Sequence, residues 1–350
     1  MNPTYDITKT YEWNYENGPI FLDKIPKRKP GKKIKLFDFE INSPLGVPAG
    51  PLLNSNWVKL YAELGFDIPI YKTVRTEYRA VHPAPNCVFV DTHGQLKAQQ
   101  INTKLTKLEN DPKSFEDITI TNSFGVPSKE PKHWQADIEK ANSYMGDGQI
   151  MIVSANGTPR EGEDIAKDYA RCAVMAKEAG AKIIEINYSC PNLVSKEGSI
   201  FTDPEVSSKI SKQVKKELGN TPLIIKMGYF KDKALLAEVV KANAKYVDGI
   251  AGINTITMQV YNKKGEQALP GEGRLKSGLC GGGILDLSQE FTTDLAKLRK
   301  ENNYDFIICG VGGITKPEDF DKRLAAGADI VMSATGAMWN PLLAMDWHNR

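Results

Sequence analysis

The sequence predicts an α/β protein, a (β/α)8 barrel with long active-site excursions and a polar N-terminal arm. Three observations carry that expectation: eight short apolar runs, amphipathic segments between them, and polar residues gathered where the runs end. Strands are expected near 44–49 (PLGVPA), 68–73 (IPIYKT), 149–154 (QIMIVS), 182–187 (KIIEIN), 223–227 (LIIKM), 248–254 (DGIAGIN), 305–310 (DFIICG) and 329–334 (DIVMSA). The helices between them show as stripes: Ile165, Tyr169, Cys172 and Ala176; then Val206, Ile210, Val214 and Leu218; later Leu287, Phe291, Leu295 and Leu298. Alternating strand and helix is the pattern of a parallel sheet, and eight such units favour a closed barrel over an open doubly wound sheet. Two long excursions, at about 74–148 and 256–283, break the rhythm. Connections of that length usually carry function, because loops at the C-terminal strand ends build a barrel's site. The domain reading is an arm over 1–43 and a barrel domain over 44–350.

Composition narrows the class. With 350 residues, 41% hydrophobic and 25% charged, the chain can bury a sizeable core. No apolar stretch approaches the roughly 18–20 residues of a membrane helix, and the N-terminus lacks a secretory pattern, so a cytoplasmic protein is expected. The five cysteines (Cys87, Cys172, Cys190, Cys280, Cys309) are widely spaced without a CxxC pair, which argues against a disulfide framework, zinc or an iron–sulfur cluster. A net charge of +2 argues nothing about partners, and neither a nucleic-acid nor a membrane partner is expected. The basic run KIPKRKPGKKIK at 24–35 reads as a solvated arm, with contact to an anionic surface as the alternative.

The strand ends hold the chemistry: Ala49-Gly50, Lys72-Thr73, Asn187 and Cys190, Lys226, Asn254-Thr255, Gly310-Val311-Gly312-Gly313, and Ala334-Thr335-Gly336. The last two groups have the form of a phosphate site, since glycines let backbone N–H groups approach an anion and Thr315 and Pro317 look like a helix start. Close helix–strand packing would also select glycine. Lys72 and Lys226, pointing inward from strands two and five, imply an anionic or electron-rich ligand, although either alone could snorkel to solvent.

The motifs NYSCPN at 187–192, TNSFG at 121–125, YKT at 71–73, IKMGY at 225–229, GINT at 252–255, SGLCGG at 277–282 and GVGGI at 310–314 together resemble the dihydroorotate dehydrogenase family, over about residues 44–340. The resemblance implies a (β/α)8 barrel that holds flavin mononucleotide (FMN) at its C-terminal face and oxidises dihydroorotate to orotate. It assigns Ala49, Gly50, Lys72, Thr73, Asn187, Lys226, Gly281, Gly312, Gly313 and Thr335 to the flavin, with Lys226 near the N1–O2 edge of its ring. To the substrate it assigns Lys72, Asn122, Asn187, Asn192, Asn254 and Thr255, with the backbone of Ser123, Phe124, Gly125 and Val126 around its carboxylate. Cys190 is the implied base, taking the C5 proton while the C6 hydride passes to flavin N5; as a small buried hydrophobe it would have no such role. Ser128 is the next candidate base.

Four positions depart from the family's pattern: Asn86 stands in place of a loop-organising arginine, Ala334 of a glycine, Gly228 of a proline and Tyr188 of a leucine, and the last helix, about 341–348, is short. A uracil or thymine reductase is the nearest alternative, but such relatives commonly show histidine where Asn192 stands. A barrel that only binds a phosphorylated ligand is a third. The polar arm and Cys190 favour a soluble electron acceptor, either fumarate or NAD through a separate subunit. A homodimer is implied by resemblance alone.

Overall fold

The structure, a computed structural model, describes residues 3–189 and 200–350. Eight parallel strands close in sequential order into a barrel: Leu45–Val47, Ile68–Val74, Ile152–Ala155, Ile183–Asn187, Leu223–Lys226, Gly249–Gly252, Ile307–Val311 and Ile330–Met332. Each falls on one of the eight apolar runs, so the protein is a (β/α)8 barrel. The barrel is filled by residues two apart on its strands, among them Ile68, Ile70, Ile152, Ile183, Ile224, Cys309, Ile330 and Met332. Leu36 and Ile41, from an antiparallel hairpin of Ile34–Leu36 and Phe39–Ile41, join this inner core.

Helices cover the outside, most of the longer ones beginning at a capping side chain or a proline. The N-terminal helix is α1 (Tyr11–Asn17), and the barrel helices are α2 (Ser55–Glu63), α3 (Pro131–Asn142), α4 (Ile165–Glu178), α5 (Pro204–Leu218), α6 (Lys233–Asn243), α7 (Leu285–Asn302) and α8 (Pro317–Ala325). Two short helices, α9 (Thr335–Trp339) and α10 (Leu343–His348), close the chain. Asp164, Asp203 and Asp232 accept backbone N–H groups at the starts of α4, α5 and α6. The faces they bury are the predicted stripes, with Tyr169, Cys172 and Ala176 on α4, Ile210, Val214 and Leu218 on α5, and Leu287, Phe291 and Leu295 on α7.

The two excursions form something the apolar pattern did not announce. Strands Cys87–Asp91, Lys104–Lys107 and Thr119–Asn122 from the first, and Ile256–Tyr261 and Lys276–Gly281 from the second, close into a five-stranded sheet of their own. In register, Asn122 lies between Cys87 and Gly278, so both excursions meet at that carboxamide. The arm is not wholly solvent-borne. Six of the lysines in the basic run are exposed, whereas Arg28 makes a two-pronged ion pair with the buried Asp67 at 2.9 and 2.8 Å.

Candidate active site

One cavity lies where the barrel's strand ends meet the five-stranded sheet. Its lining includes Ala49, Gly50, Lys72 and Thr73 from the first two strand ends, and Asn122, Ser123, Phe124, Gly125 and Val126 from the excursion. Asn187, Lys226, Asn254, Thr255, Gly281, Gly312, Gly313 and Thr335 complete it. These are all the site residues read from the sequence except Cys190 and Asn192, which lie outside the described residues. Ser128 opens instead on an adjoining cavity, where its hydroxyl accepts Arg75 N at 3.1 Å and donates to Lys129 O at 3.0 Å.

Strand geometry explains how distant residues converge. Lys226 ends the fifth strand beside Asn187 of the fourth, and both side chains point inward, with Ile224 two residues before the lysine and Ile183 four before the asparagine on the same face. The pairing of strands two and three slips between Tyr71 and Val74. Lys72 and Thr73 occupy that slip, and Lys72 N donates to Leu52 O at 3.0 Å instead of entering the ladder. Such irregularities re-aim side chains beside sites.

The polar groups are arranged in order. The side-chain oxygen of Asn187 accepts Ser189 N at 3.0 Å and Asn254 Nδ2 at 3.2 Å, and among the described residues its amide nitrogen has no partner. Lys226 is only 5% exposed, and opposite it in sign the wholly buried Glu185 sits two residues before Asn187. Burial pushes the Cys309 thiol well up, with Glu185 and Asp329 adding to that and Lys226 opposing it. Cys280 receives Asn122 Nδ2 at 3.4 Å and Thr335 Oγ1 at 3.5 Å. Burial pushes its thiol up, partly offset by those two donors and by Lys226, and burial pushes the Cys87 thiol well up too. Both are neutral thiols near neutral pH and poorly suited to act as bases.

The Ser123–Val126 loop is held from several sides. Gly125 and Val126 have φ of 81° and 51°, a left-handed pair that is unusual for valine and persists only when its surroundings impose it. Arg75 Nε donates to Val126 O at 3.1 Å, and His82 N donates to Phe124 O at 3.1 Å. Arg274, from the second excursion, donates to the carbonyls of Pro83 (2.7 Å), Pro85 (3.1 Å) and Ser123 (2.8 Å), and also to Pro270.

Across the cavity, Gly312 and Gly313 have φ of 118° and 75°. A Cβ on Gly313 would run into the Leu285 backbone, and one on Gly312 would come within 2.9 Å of Ser288 Cβ. The buried Arg323 lies behind the turn, donating to Ser288 Oγ at 2.6 Å and Gly312 O at 3.0 Å. Burial lowers its pKa to about 10, still charged at neutral pH. Packing alone therefore demands these glycines, and their backbone also faces the cavity.

A family model described as dihydroorotate dehydrogenase matches residues 32–346. The chain belongs to the dihydroorotate dehydrogenase family. It is 42% identical to a dihydroorotate dehydrogenase of Dictyostelium discoideum, covering 99% of this chain and 97% of that protein. More distant relatives are named dihydroorotate dehydrogenase B (NAD(+)), catalytic subunit. That of Exiguobacterium sibiricum is 27% identical over 57% of this chain and 60% of its own, and that of Maridesulfovibrio salexigens 30% over 50% and 55%.

Within this dihydroorotate dehydrogenase family member, the departures have local reasons. Asn86 Nδ2 donates to His82 O at 2.9 Å and its carbonyl accepts Ser123 N at 2.9 Å, while Arg274 supplies a guanidinium to the same loop from elsewhere in the chain. The Tyr188 hydroxyl donates to Ser207 O at 2.9 Å and meets Ser211 Oγ at 2.8 Å, so burial leaves it satisfied. A Cβ on Gly228 would sit 2.7 Å from the Phe201 ring. Ala334 has negative φ and needs no glycine. Sequence reading missed Tyr5, Tyr11, Leu53 and Met338, which also line the cavity. The aromatic spacing of TYDITKTYEWNYENG was the signal available for the two tyrosines.

Proposed function

We propose that this chain is a flavin mononucleotide-dependent enzyme that oxidises dihydroorotate to orotate in pyrimidine biosynthesis. The observation that carries the reading is the convergence on one cavity of every described residue that the family resemblance assigns to flavin or substrate. The residues fit the cofactor. Positive-φ glycines at 312 and 313, the start of α9 at Thr335, and the nearly buried cation of Lys226 suit a phosphate at one end and an electron-rich ring at the other. When bound, the flavin supplies the two-electron acceptor for the hydride leaving C6. Ala49, Gly50, Lys72, Thr73, Asn187 and Gly281 complete its binding set.

The chain's own residues have the remaining tasks. Uracil-like rings alternate N–H donors and C=O acceptors, and the carboxamides of Asn122, Asn187, Asn192 and Asn254, with the Thr255 hydroxyl, can meet both. The backbone of Ser123–Val126 offers N–H groups to the carboxylate, and Lys72 adds a positive charge. Cys190 removes the C5 proton; with the C6 hydride gone as well, the C5–C6 bond becomes double. The thiol must be deprotonated to do this, and its ordinary pKa of about 8.5 is close enough for its surroundings to tune.

The acceptor that reoxidises the protein is a soluble one in this reading, fumarate or NAD through a separate subunit, with the enzyme cytoplasmic. No helix among the described residues is long and apolar enough to cross a membrane. Anaerobic mixing of the flavin-loaded protein with dihydroorotate, and separately with dihydrouracil, tests the proposal. Dihydroorotate should bleach the flavin and dihydrouracil should do so far more slowly, because donors arranged for the carboxylate are left unpaired. Equal rates would move the chain to pyrimidine reduction.

A further inference from the structure

The N-terminal segment takes part in the site without belonging to the stretch that the family model matches, which begins at residue 32. Tyr5 and Tyr11, 4% and 7% exposed, both line the main cavity. Both also pack on Phe124: the Tyr5 ring meets it edge-on at 6.1 Å between centroids, and the Tyr11 ring at 5.9 Å. Pairs of this geometry contribute beyond their buried area.

The segment that carries them is anchored independently of Phe124. Thr4 N donates to Met338 O at 2.9 Å, and Thr4 Oγ1 meets the Tyr61 hydroxyl at 2.7 Å, which fastens the segment before α1 to α9 and α2. Thr10 caps α1, and Asn14 ties the helix back through Asp6 N at 2.8 Å and Asp6 O at 2.9 Å. Asn54 Nδ2 donates to Tyr15 O at 2.7 Å and joins the far end of α1 to the barrel. The two rings are thus presented from a fixed support to the one aromatic residue of the Ser123–Val126 loop, directly before its left-handed pair.

We propose that Tyr5 and Tyr11 are positioning residues, an aromatic clamp by which the N-terminal segment holds the substrate-facing loop in its binding conformation. The inference rests on the assignment of that loop to the substrate carboxylate. Its mechanical half, however, can be read without any ligand.

Hydrogen exchange at Ser123 N, which donates to Asn86 O at 2.9 Å, reports the loop. Tyr11→Ala and Tyr5→Ala should speed exchange there by about tenfold, while Tyr11→Phe, which keeps the ring, stays within about twofold of the parent protein. Tyr11→Leu stands in if the alanine variant cannot be purified, with the same expectation. Orotate titrated against the flavin absorbance should bind the alanine variants more weakly, with flavin content unchanged and Tyr11→Phe again like the parent. Unchanged exchange at Ser123 in the ring-removing variants would overturn the clamp. So would an equal change in Tyr11→Phe, or a uniform acceleration across the barrel strands. Failure of the parent protein to bind orotate would sink the substrate assignment, and the exchange comparison would still decide the clamp.

Discussion

The guanidinium of Arg274 donates to the carbonyl of Ser123 at 2.8 Å across a sequence separation of 151 residues. With its bonds to Pro83, Pro85 and Pro270, it is the point at which the two excursions are tied behind the proposed carboxylate loop. Arg274 is 3% exposed, and burial lowers its pKa, so its charge is spent on backbone dipoles. Arg274→Ala leaves these carbonyls without their donor and should cost about 2–4 kcal/mol of stability. It should also lower kcat/KM for dihydroorotate by tenfold or more, roughly, through KM. Arg274→Lys should rescue little, because an ammonium cannot span the planar fork. Urea unfolding and steady-state kinetics on the two variants measure both effects.

Gly313 tests the proposed phosphate end. At φ 75°, with the Leu285 backbone where a Cβ would go, Gly313→Ala carries a conformational cost of about 1–3 kcal/mol and displaces the turn. The expected outcome is a folded protein that loses flavin on gel filtration, with its dissociation constant raised at least tenfold, roughly. Retention of stoichiometric flavin would place the phosphate elsewhere.

Much of this was legible before any coordinates. The barrel was, because each inner strand is a run of apolar residues, and the strand ends were, because Lys72, Asn187, Lys226 and Asn254 interrupt those runs with groups that a core would not accept. The five-stranded sheet was not. KLTK at 104–107 and KSGLCG at 276–281 are too short and polar to read as strands, and they pair with partners far away in the chain. Arg274 was equally invisible, since its partners are backbone carbonyls, which leave no mark on the sequence. The N-terminal tyrosines were in view but read as part of a polar arm, because a few aromatics in a hydrophilic stretch do not show which neighbour buries them.

Two histidines set an acid limit on stability. Burial lowers the pKa of both His82 and His348; Arg274 and Arg79 add to the effect at His82, while at His348 the Gly65 carbonyl and Asp67 oppose it in part and Arg28 adds to it. In each case the folded state favours the neutral ring, so below the ordinary pKa of about 6.5 the unfolded chain binds more protons. Their contribution is fully present above that pH and is lost as pH falls from there through the depressed folded values. The urea midpoint should therefore decline as pH falls below about 6.5, and His82→Asn with His348→Gln should flatten that decline. A midpoint equally pH-dependent in the double variant would assign the effect to the carboxylates.

The decisive chemical prediction concerns Cys190, which follows Ser189, whose backbone N–H is bonded to the Asn187 side chain at 3.0 Å. If Cys190 is the base, Cys190→Ala should leave flavin content and orotate affinity near those of the parent protein, because neither needs a proton removed. Anaerobic flavin reduction by dihydroorotate should fall by about 10²–10⁴-fold, the usual contribution of a positioned base. Cys190→Ser keeps the shape with a far weaker acid, so a small residual rate should remain and its pH profile should move upward. Stopped-flow reduction between about pH 6 and 10 separates these outcomes from a packing role. An alanine variant that reduces its flavin at the parent rate would remove the thiol from the mechanism. Cys87 and Cys280 would be poor replacements, since burial raises both thiols, and Ser128 opens on the adjoining cavity with its hydroxyl already committed to Lys129 O.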